Sequence, residues 1–320
     1  MSQTDSIALP AGVTIHPVAG RIGAEIRGVK LSPDLPENIR DVVRQAWLKY
    51  KVIFFRGQTH LDDASQEQLV TLFGEKAVPH PTAHLKQGTS YVLELDSQQG
   101  GRANSWHTDV TFVDAYPLAS ILRGVTIPEA GGDTVWANTH TAYLDLSPEL
   151  RDLADKLWAV HSNEYDYAAR KPNASSEALK RYHEVFTSTV YETEHPVVHV
   201  HPETGERNLL LGHFVKRILG VPTRDSQHLF DLLQGQVTRL ENTVRWRWQP
   251  GDVAVWDNRA TQHYAVDDYG DAHRVVRRVT VDGTVPVAVD GRRSTTRSKI
   301  ARQEQGAANE AAPTRESAAA

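Results

Sequence analysis

Trp106-His107-Thr108-Asp109-Val110-Thr111-Phe112 is the stretch on which the reading of this chain turns. If it is an extended strand, the period of two puts the imidazole of His107 and the carboxylate of Asp109 on one face, about 6–7 Å apart along the backbone. That is a pair of metal-binding donors lacking a third. His263 is the candidate third. It closes Asp257-Asn258-Arg259-Ala260-Thr261-Gln262-His263, which follows the apolar, strand-like run Gly251-Asp252-Val253-Ala254-Val255-Trp256-Asp257. Two neutral imidazoles and one carboxylate on one face of an octahedron suit Fe(II) and leave three positions open for a co-substrate, oxygen or water. A His-x-Asp triplet by itself is far more often a solvated turn than a metal site, so the reading depends on what accompanies it.

Composition narrows the field. The 320 residues are 40% apolar and 23% charged, enough to bury the core of one large domain, and no linker interrupts the middle. A net charge of −5 argues against a nucleic-acid surface or a polybasic membrane anchor, so an anionic ligand has to be met by a few local arginines. No run is long and apolar enough to span a membrane, and Met1-Ser2-Gln3-Thr4-Asp5-Ser6 lacks the features of a signal peptide, so a cytoplasmic protein is expected. There is no cysteine, hence no disulfide and no thiolate metal site; any metal must be held by histidine and carboxylate.

Along the chain, residues 1–11 read as a flexible start. Val13–Val18 and Ala24–Val29 alternate like strands, Pro36 opens a helical pattern through Ile39, Val42, Val43, Ala46 and Trp47, and Val52–Phe55 reads as a buried strand. Asp62–Phe73 looks like a second helix and Thr139–Leu157 a helical stretch broken near Pro148. Further strands are expected at Tyr91–Leu95, Ala119–Ile127, Asp133–Ala137, Val197–His201, Asn208–Leu211, Val244–Trp248, Val253–Trp256 and Val275–Val281, with a helix over Asp225–Leu240. Tyr165–Thr193 is polar and irregular, either a lid or a surface excursion. Many short strands punctuated by turns, with a few helices outside, predict a mainly β, α+β chain built on a double-stranded β-helix, or jelly roll, over residues 12–287. Residues 288–320 read as a disordered tail.

The company is partly in the arginines. Arg274, Val276 and Arg278 share a strand face, with the two guanidinium groups about 13 Å apart along it, and inward-facing arginines need anionic partners. A dicarboxylate and an anionic substrate would supply two; protein carboxylates are the plainer alternative. His199 and His201 also share a face, but no motif brings them a carboxylate, and they read as half-exposed strand residues. Trp246, Trp248 and Trp256 read as core.

Trp106-His107-Thr108-Asp109, Gly131-Gly132-Asp133-Thr134, Trp256-Asp257-Asn258-Arg259-Ala260-Thr261-Gln262-His263 and Arg274-Val275-Val276-Arg277-Arg278 together resemble the taurine dioxygenase family of Fe(II)/2-oxoglutarate-dependent oxygenases. The resemblance covers most of residues 12–285. Through Glu164-Tyr165-Asp166-Tyr167, His199–Arg207 and Glu241-Asn242-Thr243 it is nearest to the alkylsulfatases of that family. It implies His107, Asp109 and His263 as iron ligands and gives Thr134 and Arg274 to the distal carboxylate of 2-oxoglutarate. Arg278 and His80 would hold the sulfate or sulfonate of the substrate, helped by the backbone at Val110; His80 is equally readable as a loop histidine. The implied cofactors are Fe(II), 2-oxoglutarate as co-substrate, and O2. The implied reaction hydroxylates the carbon bearing a sulfate ester, releasing aldehyde and inorganic sulfate alongside succinate and CO2. Within the family the alternatives are a sulfonate dioxygenase that releases sulfite and a hydroxylase of a carboxylate-bearing small molecule. Outside it stands a non-catalytic β-roll that binds a metal such as zinc. The resemblance also implies a homo-oligomer, a dimer or tetramer.

Overall fold

Val52-Ile53-Phe54-Phe55 forms a strand in which all four side chains are buried, and its alternation shows how. Ile53 and Phe55 enter a core with Ile121, Val253, Val255 and, from the helix Glu37–Tyr50, Val42, Val43, Ala46 and Trp47. Val52 and Phe54 enter a different core with Leu122, Trp136, Val244, Trp246, Trp256 and Val276. A strand apolar on both faces is therefore a middle layer, with helices on one side and a second sheet on the other. Each such side chain, fully buried, contributes about 1.5–3 kcal/mol of burial free energy.

The structure is a computed structural model describing residues 7–82, 91–99, 103–164 and 189–301. The main sheet is 8-stranded, in the order Thr14–Pro17, Ala24–Arg27, Val52–Phe55, Val253–Asp257, Ala119–Thr126, Val275–Val281 and Ala77–Val78, with Leu93–Asp96 also paired to Val275–Val281. Facing it across the tryptophan-rich core lies the sheet Thr243–Trp246, Thr134–Asn138, Thr261–Ala265. These two sheets are the double layer expected of a jelly roll. The helices Thr139–Leu144 and Thr223–Val237 pack with Val197, Val198 and Leu209 into a further cluster. Pro148 stands at the first turn of the helix Pro148–Ala154, where Ser147 caps the Leu150 amide, which accounts for the break expected there.

A 4-stranded sheet of Val215–Ile218, Trp158–Ser162, Thr189–Pro196 and Thr295–Ala301 departs from the sequence reading in two places. Thr295–Ala301 was expected in a disordered tail; instead it pairs antiparallel with Thr189–Pro196. Its polar composition hides the strand because one edge pairing and surface contacts such as Lys299 over the Tyr191 ring hold it, with little apolar burial. The end of the irregular segment, Thr189–Thr193, is likewise strand; residues 165–188 and 302–320 lie outside the described residues. Among the described residues, no helix is long and apolar enough to cross a membrane.

Candidate metal centre

His263 lies on the strand Thr261–Ala265, hydrogen-bonded on one side to Thr134–Asn138 with Trp136 as its cross-strand partner. On its other side it forms an isolated bridge to His107, each backbone amide donating to the other's carbonyl at 2.8 and 3.0 Å. The stretch expected to be a strand is therefore paired to a neighbour only at His107. Beyond it the chain turns, and Val110 takes the left-handed conformation (φ 60°), an uncommon one for a β-branched residue. That turn, not strand alternation, brings Asp109 round to the histidines. Asp109 Oδ1 lies 3.9 Å from His107 Nε2 and 3.8 Å from His263 Nε2. The imidazole centroids are 4.1 Å apart, and all three residues are buried. Gly212 crosses close behind: a Cβ there would stand 3.0 Å from the Trp106 carbonyl oxygen and 3.2 Å from His107 Cα.

Electrostatics favour the ligating protonation states. Burial pushes both imidazoles below their ordinary pKa, His263 well below it and with help from its neighbour His107. The Nδ1 of His107 meets the Ser105 carbonyl at 2.7 Å, so Nδ1 carries the proton and Nε2 presents its lone pair toward Asp109. Burial pushes Asp109 up, but Arg278, His263, His107 and the Ser120 hydroxyl outweigh it and hold the carboxyl below its usual range. The donor set is thus two neutral imidazoles and one carboxylate. Its gaps of 3.9 and 3.8 Å fall within the roughly 4.2 Å that two bonds of about 2.1 Å to one ion can span. This nitrogen and oxygen set, with no thiolate, fits Fe(II).

Two buried arginines flank it. Arg274 donates from Nε to the Gly132 carbonyl at 2.9 Å, while its Nη2 is buried without a hydrogen-bond partner. Its neighbour Arg277, by contrast, is paired with Glu94 and Asp63. Among the described residues Arg274 has no carboxylate, and burial lowers its pKa. A Cβ on Gly132 would stand 2.9 Å from Arg274 Cδ, so the glycine is what lets the guanidinium in. Two residues on, Thr134 accepts a hydrogen bond from the Trp248 indole at 2.9 Å, which leaves its own proton for another acceptor. Arg278 meets a protein carboxylate, that of Asp109, while its Nε is buried and unpartnered. The plainer alternative for inward arginines thus holds for Arg278 and not for Arg274. His80 is half-buried, with its ring pushed down to about 3 by burial and by the Arg278 charge. Its Nδ1 accepts from the Thr82 amide at 3.3 Å.

Sequence reading missed several neighbours. Phe214, with Val113 and Tyr191, joins Val110 and Phe112 in an apolar cluster, and stands edge-on to His107 at 6.1 Å. Ser120 and Trp248 reach Asp109 and Thr134 by hydrogen bonds, and Asn258 reaches Ser120, in ways that no periodicity reveals. His199 and His201, expected half-exposed, are buried; His201 pairs with Asp257 at 3.0 Å, and Asp257 also holds Arg259. This ion-paired network lies in the turn after Val253–Asp257, and a polar hairpin sequence gives no sign that it is internal.

The chain matches the taurine catabolism dioxygenase TauD, TfdA family over residues 14–280. It is 68% identical over 285 residues to an alpha-ketoglutarate-dependent sulfate ester dioxygenase of Pseudomonas putida, covering 89% of this chain and 94% of that one. It is 60% identical over 277 residues to an alkylsulfatase of Acinetobacter baylyi, covering 87% of each. The crystal structure of a taurine dioxygenase from Burkholderia xenovorans is similar with a TM-score of 0.76 at 39% identity, over 90% of this chain and 95% of that one.

Proposed function

This chain belongs to the TauD, TfdA family of taurine catabolism dioxygenases, and from that premise we propose that it is an Fe(II)/2-oxoglutarate-dependent oxygenase acting on alkyl sulfate esters. The observation that carries the reading is the convergence of His107, Asp109 and His263 beside two buried arginines with unpartnered nitrogens. The higher identity to the sulfate ester dioxygenase and the alkylsulfatase than to the taurine dioxygenase favours an ester over a sulfonate.

In this reading His107, Asp109 and His263 hold Fe(II). Arg274 and the Thr134 hydroxyl receive the distal carboxylate of 2-oxoglutarate, for which Arg274 has an open nitrogen and, among the described residues, no ion-paired carboxylate. Iron and 2-oxoglutarate, when bound, supply the activation of O2 that oxidises a C–H bond, with succinate and CO2 as co-products. Arg278 receives the substrate sulfate together with His80, whose neutral ring accepts at Nδ1 and so carries its proton at Nε2. In the same reading the Val110 backbone helps to hold the sulfate. Phe112, Phe214 and Tyr191 give an alkyl chain an apolar wall, so the sulfate sets which carbon faces the metal and the chain length stays variable. Hydroxylation of the carbon bearing the ester oxygen produces a hemiacetal sulfate, which separates into aldehyde and inorganic sulfate without further help from the protein.

Purified protein with Fe(II), ascorbate and 2-oxoglutarate is to be given hexyl sulfate, taurine or an aryloxyacetate, and sulfate, sulfite and succinate measured. Sulfate and succinate in equal amounts from hexyl sulfate is the expected result. Sulfite from taurine as the dominant reaction, or preferred turnover of the aryloxyacetate, overturns the ester assignment. Succinate no higher than the uncoupled background with every anion overturns the oxygenase reading in favour of a metal-binding module.

A further inference from the structure

Asp109 is held from behind by a hydrogen-bond chain that can run in only one direction. Ser120 Oγ lies 2.6 Å from Asp109 Oδ2, Asn258 Nδ2 lies 3.0 Å from Ser120 Oγ, and Trp256 Nε1 lies 2.9 Å from Asn258 Oδ1. Ser120, Asn258 and Trp256 are at most 2% exposed. An indole nitrogen donates and never accepts. Asn258 must therefore turn its oxygen to Trp256 and its amide nitrogen to Ser120. Ser120, already accepting from Asn258, spends its single proton on Asp109. The fold supplies the spacing: Ser120 and Trp256 are register partners on adjacent strands, and the Asn258 amide is tied to the Leu118 carbonyl at 2.9 Å. The Trp256 ring also lies against His263, centroid to centroid 4.7 Å. One indole therefore braces a histidine of the centre by packing and its carboxylate by hydrogen bonding.

We propose that Trp256, Asn258 and Ser120 are positioning residues that engage Asp109 Oδ2 and so leave Oδ1, the oxygen that also accepts from Arg278, to face the metal. The inference rests on the reading of His107, Asp109 and His263 as ligands. A carboxylate free to turn would offer both oxygens to one ion and occupy a coordination position that the co-substrate and oxygen need. The chain prevents this from the side away from the metal.

Asn258→Asp keeps the shape but removes the donor: the new carboxylate accepts from both Trp256 and Ser120, and Asp109 Oδ2 loses its hydrogen bond while Oδ1 keeps that from Arg278. Ser120→Ala removes the last link directly and buries no new charge. Anaerobic Co(II) titration of the full chain, followed by the visible d–d spectrum, reads affinity and coordination without turnover. Each single variant is expected to weaken Co(II) binding about ten- to a hundredfold and to shift the spectrum. The double variant is expected to bind no more weakly than the weaker single, because Asn258 acts only through Ser120. Losses that multiply in the double variant, or Ser120→Ala binding Co(II) as tightly as the parent with an unshifted spectrum, overturn the chain. Asp109→Ala is the control: if it binds Co(II) as the parent does, the ligand assignment has failed and the chain falls with it. A parent-like chain result alongside a Co(II)-deficient Asp109→Ala condemns the chain alone.

Discussion

His107 and His263 exchange both backbone hydrogen bonds across a single bridge, and their imidazole rings stand 4.1 Å apart. The backbone pairing fixes both Cα positions before any metal arrives, so the centre is preorganised on one side and closed by Asp109 on the other.

Removing either imidazole should therefore abolish the centre without unfolding the sheet. Anaerobic Fe(II) with 2-oxoglutarate should give the parent a weak visible charge-transfer band, and His107→Ala should eliminate it while lowering metal affinity by more than about a hundredfold, beyond the usual effect of losing an outer partner. A band of undiminished intensity in His107→Ala would remove that histidine from the ligand set.

Arg274 yields a prediction with opposite signs for stability and binding. A buried guanidinium nitrogen without a partner is a cost to the folded state, so Arg274→Met should leave the ligand-free protein as stable or more stable in a thermal melt. The same change removes charge-assisted hydrogen bonds of about 1.5–3 kcal/mol to a carboxylate, raising KM for 2-oxoglutarate roughly ten- to a hundredfold with little change for the sulfate ester. Loss of stability with an unchanged 2-oxoglutarate KM would place Arg274 in the scaffold instead.

What could be read in advance followed from which layer a residue occupies. Val52–Phe55 and Val253–Trp256 were legible because both of their faces are apolar and buried. Trp158–Ser162 and Thr189–Pro196 were not, because their interior is polar: His161 and His195 sit ring against ring at 4.8 Å, His161 Nδ1 meeting the Thr111 hydroxyl and His195 Nδ1 that of Ser294. Their outer face is held by Lys216 with Glu164 and Glu192. Hydrophobic periodicity is blind to a layer built this way. At the site, His107, Asp109 and His263 were found by residue type and motif. Ser120 and Asn258 were not, since nothing along the chain says which hydroxyl meets which carboxylate until Ala119–Thr126 and Val253–Asp257 are paired.

The same buried histidines predict acid sensitivity. His195 is held down to about 4 by burial, against an ordinary 6.5, despite the carbonyls of Thr111 and Val113. As pH falls through 6.5 the unfolded chain takes up a proton that the folded chain refuses. Stability is therefore complete above about pH 6.5 and is lost progressively down to about pH 4. Between pH 8 and pH 5 this one group should cost about 2 kcal/mol, at 1.36 kcal/mol for each unit. Urea unfolding of the metal-free protein at those two pH values should show the loss, and His195→Gln should shrink it by about that amount; an identical pH dependence in the variant would place its origin in other groups.

Phe214 tests the apolar wall. It packs at 5.1 Å against Phe112 and edge-on to His107, and is 4% exposed. If an alkyl chain lies along this surface, each added methylene that reaches it contributes up to about 0.8 kcal/mol, close to a fourfold fall in KM. Alkyl sulfates from butyl to decyl should then show KM falling with length in the parent. Phe214→Leu keeps the site apolar but pulls the wall back, so it should flatten that slope for the longer chains while leaving KM for 2-oxoglutarate unchanged. A thermal melt separates this from general loosening, because the volume change costs stability whatever the substrate does. A parallel upward shift of KM at every chain length would mean that Phe214 supports His107 from behind and never meets the chain.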